Sequence, residues 1–305
     1  MVAVITSVIA TGCAKRSAGQ ISFETPEAAV EALVAAAEKG DVEELERLLG
    51  PGTRELLSSG DEVADRAERE GFLKRYHARH RLVVGDSDVM VLQVGEDDWP
   101  LAIPLVRDQE KWRFDGVAGA DELVLRRVGA NELRTIDVMR GFVAAQEDYA
   151  AEGRDGAAAG AYARRFRSTP GKHDGLYWEV AEGETPSPAG PFLAAAADEG
   201  YALEGVNPDT GKRTPYHGYV YRMLMSQGPA ASGGARQYLV NGRLTGGFAM
   251  LAIPQTYGVS GVTSFIVNQD GVVWQRDLGS DTAQIAATIQ QFDPDDTWTP
   301  IAPEQ

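Results

Sequence analysis

A chain of 305 residues with 29 Lys and Arg against 45 Asp and Glu carries a formal charge of −16. That charge repels phosphate backbones, and no Lys/Arg cluster overrides it, so nucleic acid is excluded as a partner. Cys13 is the only cysteine, which excludes intrachain disulfides and thiolate metal cages, and no cofactor is expected.

The chain opens on an apolar run, Val2 to Gly12, that ends in small residues before Cys13. This is the pattern of a bacterial lipoprotein signal at its cleavage and lipidation point. Cys13 is then the expected lipidation site and the first residue of the mature protein, and more than one acyl chain would make the anchor stable. The absence of Lys or Arg before the run leads to the expectation of a natural start upstream of Met1, and the alternative reading is a tail with an incidental thiol. Ala14 rather than Asp after Cys13 resembles lipoproteins sent to the outer membrane.

Thr25-Pro26-Glu27 opens a first helix with Val30, Leu33, Val34 and Ala37 on one face, stopped at Gly40. Asp41 and Glu44 cap a second, with Val42, Leu45, Leu48 and Leu49 as its expected buried stripe. A charged third helix runs from Asp61 to about His80. The period then changes to that of strands over 81–84, 89–94, 101–106 and 111–114, separated by polar turns, which describes an antiparallel meander. Helices followed by such a meander predict an α+β layer, in an order similar to the cystatin-like and nuclear-transport-factor-like (NTF2-like) cone.

Gly116 to Gly129 reads as a connector. Asn131 then caps a helix whose apolar stripe is Leu133, Ile136, Met139, Val143 and Ala150. Further helical pieces are expected at Ala157 to Phe166 and Phe192 to Glu199. The remainder reads as sheet, over 217–225, 238–240, 248–253, 262–267 and 272–276. Asn268-Gln269-Asp270-Gly271 joins the last two strands, and Asp281 caps a terminal helix using Ile285, Ile289 and Phe292.

Four segments of this half carry a family resemblance: Asn131-Glu132-Leu133-Arg134, the run from Arg165 through Ser168-Thr169-Pro170-Gly171-Lys172-His173-Asp174-Gly175 to Trp178, Gly218-Tyr219-Val220-Tyr221-Arg222, and Gly261 to Val273. In this order they resemble a bacterial exported family catalogued as domain of unknown function number twenty-nine-fifty, with the likeness running from about Phe23 to the last helix. That family implies no catalytic residue. The helix, loops and closing hairpin also resemble the globular head of a type IV pilin or pseudopilin. Pilins polymerise through an apolar half-helix, whereas the helix after Asn131 is amphipathic.

Candidate chemistry is sparse. His77 and His80 are three apart, a spacing that suits two metal ligands, yet no zincin pattern surrounds them and a solvated basic helix end is the plainer reading. His173 with Asp174 is the better candidate, because loops carry sites, set against a turn that Asp174 merely stabilises. No nucleophile elbow, phosphate loop or EF-hand is present. Tyr216, Tyr219, Tyr221, Tyr238, Tyr257, Trp178 and Trp274 are concentrated late in the chain, either for sheet packing or for one exposed binding face.

The expected organisation is therefore a signal and linker over 1–22, an α+β domain over 23–128 and a pilin-like α+β domain over 129–305. The expected function is a non-catalytic binding or scaffolding module on the periplasmic face of the bacterial envelope. Its partners are the membrane through its lipid and an envelope protein or glycan. The alternative is a small-molecule or enzymatic pocket in the N-terminal cone, lined by Tyr76, Trp99 and Trp112.

Overall fold

The computed structural model describes residues 19–302, apart from 51, 86–87, 155, 157, 181–185, 192–193, 195, 197–198 and 200–214. Cys13, most of the helical piece expected at Phe192 to Glu199 and the Gly205 to Lys212 loop lie outside the described residues. The chain is mixed α+β with antiparallel sheets, and its described residues fall into two compact units, one of those up to 57 together with 69–123, the other of 58–68 together with those from 124 onward.

In the first unit, α1 (Pro26–Lys39) starts where Thr25 Oγ1 accepts the Ala28 N–H at 3.2 Å, and ends at Gly40, whose φ of 65° a side chain would resist. Asp41 accepts the Glu44 N–H at 3.0 Å and starts α2 (Val42–Leu49). After α3 (Arg54–Leu57) and α4 (Glu62–Ala78) come β1 (His80–Val84), β2 (Val89–Val94), β3 (Trp99–Pro100), β4 (Leu105–Asp108) and β5 (Lys111–Phe114). The sheet order is β1-β2-β4-β5, with β3 on β2, all antiparallel. The strand expected from Leu101 begins only at Leu105: the Leu101 N–H still reaches Leu92 O at 2.7 Å, but the chain then bends at Ala102 and Ile103 and buries Ile103. Leu33, Leu45, Leu48, Leu92, Ile103, Leu105 and Phe114 fill that core.

Gly116 to Gly129 is not a connector. It forms the opening turns of α5 (Gly116–Glu152), a single 37-residue helix. Its early glycines answer to close backbone approach. A Cβ on Gly116 would lie 2.4 Å from the Leu49 carbonyl oxygen, and one on Gly119 would lie 2.6 Å from Ile103 Cα.

The second unit is built on a five-stranded antiparallel sheet of order β14-β13-β12-β11-β6. Its strands are β6 (Tyr219–Leu224), β11 (Ala249–Pro254), β12 (Thr263–Asn268), β13 (Trp274–Asp277) and β14 (Thr299–Pro300). Short ribbons pair β7 (Ser226–Gln227) with β8 (Arg236–Gln237) and β9 (Leu239–Val240) with β10 (Arg243–Leu244). Central β11 buries Ala249 to Ala252 entirely, as a strand covered on both faces should. Met139, Phe142, Val143 and Tyr149 of α5 join the same core, with Phe142 edge-on to Phe248 at 5.5 Å.

The buried stripe of α5 differs from its apolar pattern. Leu133 is 68% exposed, while Asn131 and Thr135 are buried. Both polar residues have partners: Asn131 donates to the Ser260 carbonyl at 2.9 Å, and Thr135 Oγ1 shares a hydrogen bond with Tyr221 Oη at 3.3 Å. Residues 158–166 form no helix. Gln146 binds both backbone groups of Ala163, at 2.8 and 3.0 Å, and Tyr162 bridges to Leu244, which holds this strip extended over the core. The last helix, α6 (Thr282–Thr288), buries Thr282 and Ala286 and leaves Ile285 exposed, and Asp281 makes no side-chain cap.

Candidate functional site

The loop from Arg165 to Trp178 is a structured object. Ser168 N–H donates to Tyr177 O at 2.7 Å, Tyr177 N–H to Phe166 O at 2.8 Å and Leu176 N–H to Arg165 O at 3.1 Å. Asp174 closes the turn by accepting the Thr169 N–H at 2.7 Å and the Thr169 hydroxyl at 2.8 Å. Partial burial works against the charge of Asp174, but these bonds and nearby Arg165 hold its carboxyl below the usual carboxylate range. A Cβ on Gly175 would lie 2.6 Å from the Arg167 carbonyl carbon, so the loop closes this tightly only with glycine there.

The two residues singled out by sequence therefore do different work. Asp174 staples the loop from inside, whereas His173 stands exposed at its tip. The His173 ring stacks on Trp178 with centroids 4.2 Å apart and planes 22° apart, and its carbonyl accepts the Tyr149 hydroxyl at 2.6 Å. Beneath lies a residue that sequence reading passed over, Arg154. Its side chain is 7% exposed, with its guanidinium 5.0 Å from the Trp178 ring and 5.9 Å from that of Tyr149.

A second polar cluster surrounds a hairpin tip. Tyr216 and Tyr219 exchange backbone hydrogen bonds at 2.8 and 3.1 Å, and the two residues between them, His217 and Gly218, have φ of 51° and 73°. Positive φ at both central positions is the mark of a type I′ turn. It turns the His217 ring into the protein, against Glu199 at 3.4 Å and beside Tyr216. Asp61 holds the turn from a distant part of the chain: one carboxylate oxygen accepts the Gly218 N–H at 3.0 Å and the other caps α4 through the Ala64 N–H at 3.1 Å. Burial, reinforced by Arg134 and opposed by Asp61, lowers His217 to about 4, and burial beside Glu199 pushes Tyr216 up to about 12. Near neutral pH the imidazole is uncharged and able to donate and accept hydrogen bonds. The sequence signal for this turn was the His-Gly dipeptide preceding an alternating strand.

The other candidates are not assembled into a site. His77 pairs with Glu38 at 3.2 Å, and His80 stacks on Tyr76 at 3.9 Å while its Nδ1 meets the Tyr76 carbonyl at 3.0 Å. No group of three or more His, Cys, Asp or Glu among the described residues is arranged to hold a metal. Trp99 lies on the surface under Arg75, and Trp112 bridges to Phe23. No helix among the described residues is long and apolar enough to cross a membrane.

A family model described as "Protein of unknown function (DUF2950)" matches residues 20–301. The chain belongs to the DUF2950 family. Within this DUF2950 protein the match takes in both units, the Arg165–Trp178 loop and the His217 turn. No curated protein matches the chain, and no solved structure does, so the likeness to a pilin head rests on element order alone.

Proposed function

We propose that this DUF2950 protein is a binding or scaffolding module of the bacterial cell envelope, non-catalytic and lipid-anchored through Cys13, with the Arg165–Trp178 loop as its recognition surface. The observation that carries the reading is the loop's construction: internal hydrogen bonds fix it before any partner arrives, and its tip presents exposed His173 on a buried indole. A preformed loop on a packed sheet unit binds without a large ordering cost, and it offers an envelope protein or glycan both stacking and hydrogen-bonding groups. The anchor rests on the apolar run before Cys13. The N-terminal unit supports a pocket less well, because its own side chains fill the core and Trp99 faces outward.

The test is capture from envelope extracts on the immobilised mature chain. The wild type should retain a partner that His173→Ala and Asp174→Ala release, the second because loss of the staple lets the loop relax. Equal capture by all three would refute the loop as the recognition surface.

A further inference from the structure

Arg154 is an expensive residue to bury. A guanidinium taken out of water needs its donors satisfied, because an unmet buried donor forfeits the hydrogen bonds it made to water. One end of the Arg154 guanidinium reaches Glu152 at 2.9 Å, but Glu152 is itself half exposed, and Arg154 Nε is buried with no hydrogen-bond partner among the described residues. The same is true of the indole N–H of Trp178, the ring that the guanidinium faces at 5.0 Å. Two neighbouring side chains thus each bury a donor with no acceptor among the described residues, and one of them, Trp178, carries the stacked His173 ring of the loop tip.

We propose that Arg154 and Trp178 form the receptor for a carboxylate group on the ligand of this protein, which enters past His173 and accepts from Arg154 Nε and Trp178 Nε1. This rests on the loop being the recognition surface. The chemistry selects a singly charged acceptor: one guanidinium already shared with Glu152 has no more than one charge to offer, and a dianionic phosphate would sit under-compensated in a chain of net charge −16. A planar carboxylate has two oxygens for two donors, and such charge-assisted bonds are the strong ones.

The indole N–H of Trp178 reports directly by nitrogen-edited NMR on the labelled mature chain, its resonance identified by loss in Trp178→Phe. Sodium acetate and a capped Ala-Asp-Ala peptide are the probes, with sodium chloride at matched ionic strength as control. A saturable downfield shift with either carboxylate and none with chloride is expected, the tighter titrant telling a free acid from an acidic peptide. Arg154→Lys keeps the charge and removes Nε, and should weaken binding roughly tenfold, the worth of one charge-assisted hydrogen bond; the same spectra show that the variant is folded. No shift at about 50 mM, far above the millimolar range of even weak ligands, an equal shift with chloride, or full binding by folded Arg154→Lys would overturn the proposal. If His173 still governs partner capture while Trp178 stays silent, the carboxylate assignment fails and the loop reading stands. If Trp178 responds while capture ignores the loop, the carboxylate site stands and the recognition reading fails.

Discussion

A histidine held at φ 51° with its ring buried burdens the fold twice, through its backbone and through its titration. The left-handed conformation costs a non-glycine residue on the order of 1–2 kcal/mol, and the buried ring resists protonation. Above pH 6.5 the folded and unfolded chains both hold His217 neutral, and the ring adds no pH dependence. As pH falls from 6.5 toward 4, the unfolded chain takes the proton and the folded chain does not, so stability declines, by roughly 3 kcal/mol at full extent. Glu199, raised above its ordinary value by burial, works the other way and offsets part of this. We expect His217→Asn, which suits positive φ and does not titrate, to flatten the acid side of the melting-temperature profile between pH 6.5 and 4. An unchanged slope would mean that His217 is not the responsible group. The residue scale was also the least legible in sequence. His173 and Asp174 stood out because they sit in a Pro-Gly loop, whereas Arg154 and His217 owe their importance to burial by segments far away in the chain.

At the scale of the element, α5 shows how polar partners override an apolar pattern. Leu133 fits the helical period, but so do Asn131 and Thr135, and the latter two find acceptors and a hydroxyl on the sheet side while Leu133 turns out to solvent. The expected consequence is a split in thermal or denaturant unfolding: Met139→Ala should cost about 2–5 kcal/mol and Leu133→Ala about 0.5 or less. Similar losses for both would mean that the helix faces the other way. Capped helices and strands bounded by polar turns were readable because local chemistry decides them, as at Thr25, Asp41 and the strands β2 and β5. The opening of α5 was misread as a linker because its glycines look like flexibility, while Gly116 and Gly119 serve backbone contacts visible only in three dimensions. The extended strip through Ala163 was misread as helix because Gln146, which fixes it, lies on another element.

For the whole molecule, the α+β class and the family followed from element order and from motifs in sequence. The return of residues 58–68 to the second unit did not, since nothing near Asp61 announces a bond to Gly218. In the proposed module a lipid at Cys13 and a recognition loop stapled by Asp174 act together, and one measurement tests both ends. A photo-crosslinking residue, p-benzoylphenylalanine, placed at exposed Lys172 of the full chain should trap an envelope partner in the membrane fraction. The same residue at exposed Arg236 should not, and Cys13→Ala should move the chain out of that fraction and abolish the adduct. Equal adducts from both positions, or an adduct and membrane association that survive Cys13→Ala, would contradict the account.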